Sequence, residues 1–183
     1  MGFLALIIAD IAQLKGKKTL FSALQIVGYF LVAACVGGMA VFNPSVDGVG
    51  LQIAPSAAEK IFAGKPVALD LIFIAFALIF GSLLVWSVFL EIPAALKRRA
   101  IAPGETYASG SYSLCRHPGF WWLAFFLLAL GLYKNYSAYF VEISLIITLN
   151  LLLTYLQDHY IFPKVFRGYE EYRKAVPFLL PKL

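Results

Sequence analysis

The stretch that decides the fold is PGFWWLAFFLLALGLYKNYSAYFVEISLIITLNLLLTYLQ, residues 118–157. It holds two apolar runs, 119–133 and 138–157, on either side of the short segment KNYS. A segment of that length is typical of a tight turn, so the two runs are predicted to form an antiparallel helical hairpin. The first arm is short, because fifteen helical residues span about 22 Å and a hydrocarbon core measures about 30 Å.

The rest of the chain is equally apolar. Of its 183 residues, 61% are hydrophobic and only 14% are charged, whereas soluble proteins average about 25% charged residues. The uncharged runs 21–42 and 71–90 are each about long enough to cross a bilayer. Residues 2–14 are either an interfacial helix or a short fifth crossing, and Asp10 within them favours a polar neighbour. The predicted fold is therefore an all-α integral membrane protein with four to five transmembrane helices, a C-terminal hairpin and an amphipathic tail helix.

The chain is predicted to be a single membrane domain, residues 1–183. Residues 1–96 supply the N-terminal transmembrane helices and an external loop at 43–66 that contains several Pro and Gly residues. Most polar residues gather in 97–183. The two cysteines, Cys35 and Cys115, give no disulfide framework. The sequence has no zinc-binding spacing, no phosphate-binding loop and no nucleophile motif of the hydrolase type, and no metal site is expected.

Basic residues predict the orientation. If residues 15–18, 97–99, Arg116 and the C-terminal tail share one side, that side holds twelve of the fifteen Lys and Arg residues. The protein is therefore expected to be multi-pass, with Arg116 and the C-terminus in the cytoplasm. The net charge of +5 then reflects this bias and contact with membrane lipids, and does not indicate nucleic-acid binding.

The border at residues 116–118, Arg-His-Pro, is built to hold an anion. Proline is favoured in the first turn of a helix, so the first arm is predicted to begin at Pro118. A helix start offers free N–H groups and partial positive charge, and Arg116 adds a full charge. The hairpin returns Asp158 and His159 to the same side of the membrane. A cation and an anion would then face one water-exposed pocket, which suits a zwitterionic ligand.

The segments GSYSLCRHPGF (110–120) and FRGYEEYRKAVPFLLP (166–181), with an acid between them, resemble the isoprenylcysteine carboxyl methyltransferase and phospholipid methyltransferase families. The resemblance covers roughly 97–181. It implies a membrane methyltransferase that uses S-adenosyl-L-methionine on a lipophilic or small acceptor at the cytoplasmic interface, with 97–183 as the cofactor-binding region. Together with Arg116, the expected cofactor contacts are Glu105, Thr106, Tyr107, Tyr112, His117, Pro118, Gly119, Phe120 and Asp158.

The chain departs from the family pattern at several positions. His159 replaces the second acid of a Glu-Glu pair, Trp122 replaces a glycine, and Thr154 replaces an arginine of the prenylcysteine enzymes. The sequence assigns no catalytic base, acceptor or oligomeric state. Two other interpretations stay open: a reductase that uses NADPH, and a non-catalytic lipid-binding membrane protein with a degenerate site.

Overall fold

The computed structural model describes residues 1–41, 66–134 and 137–180. Within these ranges every regular element is a helix. The helices are α1 Gly2–Leu14, α2 Lys18–Val41, α3 Val67–Val85, α4 Glu91–Lys97, α5 Pro118–Lys134, α6 Ser137–Leu156, α7 Phe162–Val165 and α8 Tyr169–Ala175. Two π-helical turns, Trp86–Leu90 and Gln157–Ile161, join α3 to α4 and α6 to α7, and a 3₁₀ turn lies at Gly110–Ser113. The predicted external loop at 43–66 lies almost wholly outside the described residues.

Three continuous helical stretches are long and apolar enough to cross a membrane. They are Thr19–Gly38, Val67–Lys97 and Tyr139–Val165, with mean hydropathies of 2.0, 2.6 and 1.8. The helices α1 and α5 are apolar but shorter. The prediction of an all-helical protein is therefore confirmed for the described residues, with three helices long and apolar enough to span a membrane, whereas the number of crossings stays a prediction.

The hairpin has the predicted arms. Helix α5 begins at Pro118 and α6 ends at Leu156, and the two helices pack against each other. Helix α3 packs on the other side of α5, and α1 lies against both α2 and α6. The best-buried apolar cluster joins α2, α5 and α6 through Val36, Leu127, Tyr139, Ile143 and Ile146.

Small residues allow α1 and α2 to approach closely. A Cβ atom at Gly28 would lie 2.7 Å from side-chain carbons of Leu6, and one at Gly2 would lie 3.0 Å from the Gly28 carbonyl oxygen. Apolar burial gives little driving force between helices in lipid, so close van der Waals packing over small residues carries much of the association. The short helix α1 is thus held along α2.

The helix surfaces and the helix ends differ in chemistry. Large apolar side chains such as Ile26, Phe30, Leu78 and Val141 are exposed along the helices, as expected for surfaces that face lipid. Buried polar side chains gather mainly where α5 begins and α6 ends. They include Ser87, Glu91, Arg116, His117 and Asp158, and this region is the polar end of the bundle.

Candidate functional site

The centre of the polar end is the carboxylate of Asp158, whose side chain is completely buried. Its Oδ2 accepts a hydrogen bond from Arg116 Nη2 at 3.0 Å. Its Oδ1 lies 3.0 Å from His117 Nε2 and accepts the Tyr169 hydroxyl at 2.7 Å. Asp158 lies in the π-helical turn that extends α6, and such turns occur frequently at functional sites. We call Arg116, His117, Asp158 and Tyr169 the charged cluster.

Arg116 connects the charged cluster to the C-terminal tail. Its Nη1 donates to the carbonyl oxygens of Arg173 at 2.7 Å and Val176 at 3.2 Å. Its backbone N–H donates to the Pro177 carbonyl at 2.9 Å. Its Nε is 2.8 Å from Asp158 Oδ1 but is not aligned for a hydrogen bond. The guanidinium is therefore held by one carboxylate and two carbonyl groups, away from solvent.

The His117 ring is packed between aromatic side chains. It stacks on Phe162 with 5.8 Å between ring centroids and meets the edge of Phe178 at 5.3 Å. Burial lowers the pKa of His117, and its hydrogen bond to Asp158 only partly opposes this effect. A neutral imidazole that donates its Nε2 proton to Asp158 fits this environment.

Tyr169 supplies the third polar contact to Asp158. Burial, together with the neighbouring Asp158 carboxylate, raises the pKa of Tyr169, so its hydroxyl stays protonated and donates. Gly168, with φ of 75°, is the N-cap residue immediately before α8. Tyr172, one helical turn later, donates to the Tyr112 carbonyl at 2.7 Å. The two tyrosines of α8 therefore face the bundle, while Glu170, Glu171 and Lys174 are exposed.

Residues 176–179, which we call the tail strap, cover the charged cluster. The Trp121 indole N–H donates to the Leu179 carbonyl at 2.8 Å. The Phe178 ring lies 5.7 Å from the Arg116 guanidinium carbon as well as against His117. The strap is thus fixed at both ends to residues around the start of α5, and it separates His117 and Arg116 from water.

Glu91 forms a second buried polar group beside the first. Its carboxylate accepts hydrogen bonds from both the backbone N–H, at 2.8 Å, and the hydroxyl of Ser111. Gly110 has φ of 61°, and a Cβ atom there would collide with the Glu91 carboxylate. Tyr112 follows and donates to the Ser87 carbonyl at 2.9 Å. The Glu91 carboxylate is thus bound by the 3₁₀ turn at Gly110–Ser113.

Glu105 and Thr106 do not reach the charged cluster. Glu105 is exposed, and its carboxylate accepts the Ala102 N–H at 3.0 Å. Thr106 donates to the Arg167 carbonyl through its N–H at 3.1 Å and its hydroxyl at 2.8 Å. These two expected contacts fasten the loop to the beginning of the tail.

The remaining expected contacts surround the cluster or lead away from it. Pro118 is buried, and a Cβ atom at Gly119 would lie 2.8 Å from Val88 Cγ2, so the start of α5 packs on the first π-helical turn. Phe120 donates its N–H to the His117 carbonyl at 3.1 Å. Tyr107 packs edge-on against Tyr112, with 5.8 Å between centroids.

The structure corrects the expected exposure of the site. His117 and Asp158 were predicted to face water in an open pocket, but they are 9% and 0% exposed. The predicted cation, Arg116, and the predicted anion, Asp158, lie together and bind each other. The His159 ring stacks on Tyr155 at 4.1 Å, and its Nδ1 lies 3.1 Å from the Tyr155 carbonyl oxygen and 3.6 Å from Asp158 Oδ2.

Two contributors were not identified from the sequence. Tyr169 was assigned only to an amphipathic helix, although its spacing of three from Tyr172 placed both rings on one face. The side chain of Gln157 donates to Asp10 Oδ2 at 2.9 Å and so ties α1 to the turn that carries Asp158. This contact provides the polar neighbour that Asp10 was predicted to need.

Chemically, the charged cluster combines a buried carboxylate, a guanidinium, an imidazole and a phenol. Removing one partner of a buried ion pair is costly, about 3–5 kcal/mol, because the other charge is left without compensation.

Comparisons with protein-family models, with curated proteins and with solved structures gave no match for this chain.

Proposed function

We propose that this chain is an integral membrane methyltransferase that uses S-adenosyl-L-methionine on a lipophilic or small acceptor. The observation that carries the proposal is the meeting of the 116–118 segment, Asp158 and the tail in one buried cluster. These are the three parts of the sequence on which the family resemblance rests. They are brought together by a hairpin whose two ends share one end of the bundle.

The donor set of the cluster suits the methionine portion of the cofactor, which carries a carboxylate and an ammonium group. Asp158 would hold the ammonium. Arg116, together with the partial positive charge at the start of α5, would hold the carboxylate. When bound, the cofactor would supply a methyl group attached to a positively charged sulfur. The residues of the chain would orient the cofactor and exclude water. Methyl transfer between two aligned substrates requires little more than this positioning.

Binding in this way requires an exchange of partners. Arg116 and Asp158 are paired with each other at 3.0 Å, so each would give up that contact to a group of opposite charge on the ligand. The tail strap, which rests on Arg116 through Phe178, would move with it.

We propose the finer topology on the same basis. Four crossings, or five if α1 spans, would place the polar end and the C-terminus in the cytoplasm, as the distribution of basic residues predicts. A soluble cofactor would then enter from the cytoplasmic side, and an acceptor from the lipid could approach between helices.

The test is calorimetric titration of the detergent-solubilised protein with S-adenosylmethionine, S-adenosylhomocysteine and NADPH. We expect saturable binding of the first two. Replacing Asp158 by Asn should weaken binding roughly 10- to 150-fold, because a charge-assisted hydrogen bond contributes about 1.5–3 kcal/mol. His117→Ala should weaken it less. Glu170→Gln, which removes an exposed acid from α8, is the matched control. Saturable binding of NADPH alone would favour the reductase.

One observation favours a second candidate, a non-catalytic membrane protein. Asp158 is fully buried and already holds three partners, as a purely structural ion pair would. In that case none of the three compounds binds, and the folded variants differ from the wild type only in stability.

A further inference from the structure

A groove opens at the same end of the molecule but outside the charged cluster. It lies between the end of α1, the start of α2 and α7, and its volume is about 740 Å³. That volume is within the range of about 300–1,000 Å³ found for ligand pockets. We call it the basic groove; it is lined by Gln13, Leu14, Phe21, Ser22, Lys164 and Val165.

The walls of the basic groove combine apolar surface with positive charge. Leu14, Phe21 and Val165 supply apolar surface, and Lys164 supplies the charge. The turn between α1 and α2 adds Lys15 and Lys17, which are exposed on either side of Gly16, a residue of the groove wall. The lining contains no acidic residue.

The charges of these lysines are not neutralised by any described part of the chain. Among the residues that the structure describes, no carboxylate forms an ion pair with Lys15, Lys17 or Lys164. Lysines that only face water also lack partners, but Lys164 lines the groove, and Lys15 and Lys17 directly flank Gly16, which lines it too. An anion in the groove would therefore meet uncompensated positive charge from two separate parts of the chain.

The surroundings of the groove are apolar on the side of the helices. Leu14, which lines the groove, is 39% exposed, and Ile11 on α1 and Leu20 on α2, close to it in sequence, are each 44% exposed. A ligand that fits both features has a negatively charged head and an apolar tail. We propose that the basic groove binds the phosphate headgroup of an anionic membrane lipid.

This proposal does not depend on methyl transfer, because no residue of the charged cluster lines the groove. A lipid held there would bridge α1 and α7, and α7 follows directly after the π-helical turn that carries Asp158. Lipid occupancy would thus stabilise the helix pairing on which the polar end depends.

The test is native mass spectrometry of the full chain in neutral detergent, titrated with phosphatidylglycerol, phosphatidylcholine or inorganic phosphate. We expect saturable binding of one phosphatidylglycerol in preference to phosphatidylcholine. Lys164→Gln should weaken it roughly fivefold, the effect of one lysine near an anionic lipid surface, and Lys17→Gln should act similarly. Lys174→Gln, which removes the same charge from the exposed face of α8, should change nothing. The melting temperature of each variant in phosphatidylcholine, unchanged from the wild type, shows that it is folded.

The outcomes separate the possible sources of the anion. Displacement of the lipid by inorganic phosphate at comparable concentration would support phosphate recognition and assign the groove to soluble phosphate compounds as well. If inorganic phosphate does not displace the lipid, the result would support recognition of the headgroup together with the apolar tail. Equal weakening by Lys164→Gln and Lys174→Gln, or no preference between the two lipids, would overturn the proposal, since general attraction between basic residues and lipid would then explain the binding.

Discussion

Replacing Asp158 by Asn should destabilise the folded protein even without any ligand. The change keeps the shape of the side chain but removes the charge that compensates Arg116, whose side chain is only 7% exposed. Breaking a buried ion pair costs about 3–5 kcal/mol. Arg116 keeps two carbonyl partners, at 2.7 and 3.2 Å, so we expect a loss near the lower end, about 3 kcal/mol.

The assay is thermal unfolding in detergent, followed by circular dichroism. For a chain of this length each kcal/mol corresponds to about 2–4 °C, so the melting temperature should fall by about 6–12 °C. Glu170→Gln removes an exposed carboxylate from α8 and should shift the free energy of unfolding by less than about 0.5 kcal/mol.

A double variant tests whether the cost arises from the pair itself. Arg116→Met removes the charge that Asp158→Asn leaves uncompensated. The two changes together should therefore cost less than the sum of the single changes. If Asp158→Asn melts at the wild-type temperature, or if the two losses simply add, the ion pair does not hold the polar end together and the reasoning is wrong.

Three further predictions concern the surroundings of the cluster. Gly110→Ala should lower the free energy of unfolding by clearly more than Gly104→Ala. Both glycines have positive φ, but only at Gly110 would a Cβ atom meet another group. Equal losses in chemical unfolding would show that backbone strain alone is responsible. Because burial lowers the pKa of His117 below its usual 6.5, the unfolded chain binds more protons, and stability should fall as the pH drops below about 6.5, by up to about 1.4 kcal/mol per pH unit. His117→Gln should flatten this dependence, and an unchanged slope in this variant would contradict the assignment. Trp121→Phe should speed amide hydrogen exchange in the tail strap roughly 2- to 10-fold, the effect of one lost hydrogen bond. Trp122→Phe is the control and should leave the exchange rate unchanged, because the Trp122 indole N–H has no partner among the described residues. Similar exchange rates in both variants would contradict the anchoring of the strap.

The sequence alone determined the class of the protein and the approach of its key residues. Composition and run length are local properties, and they predicted the helical, strongly apolar character of the three stretches that are long enough to cross a membrane. The short connection and Pro118 predicted the hairpin and the start of α5. Once two antiparallel arms are joined by a tight turn, Arg116 and Asp158 must lie at the same end, although they are 42 positions apart.

Only the tertiary structure decided how these residues use their proximity. Helices α5 and α6 have no clear apolar stripe, because apolar residues occur all around each helix, so their sequences do not say which face turns toward a neighbour. The rotation of each helix, together with the π-helical turn at Gln157–Ile161, determines that Arg116 and Asp158 bind each other inside the protein. Likewise, Glu91 meets Ser111 and Trp121 meets Leu179 only after separate segments have packed. Local patterns could not predict these pairings, because each depends on the relative positions of elements that sequence periodicity leaves free.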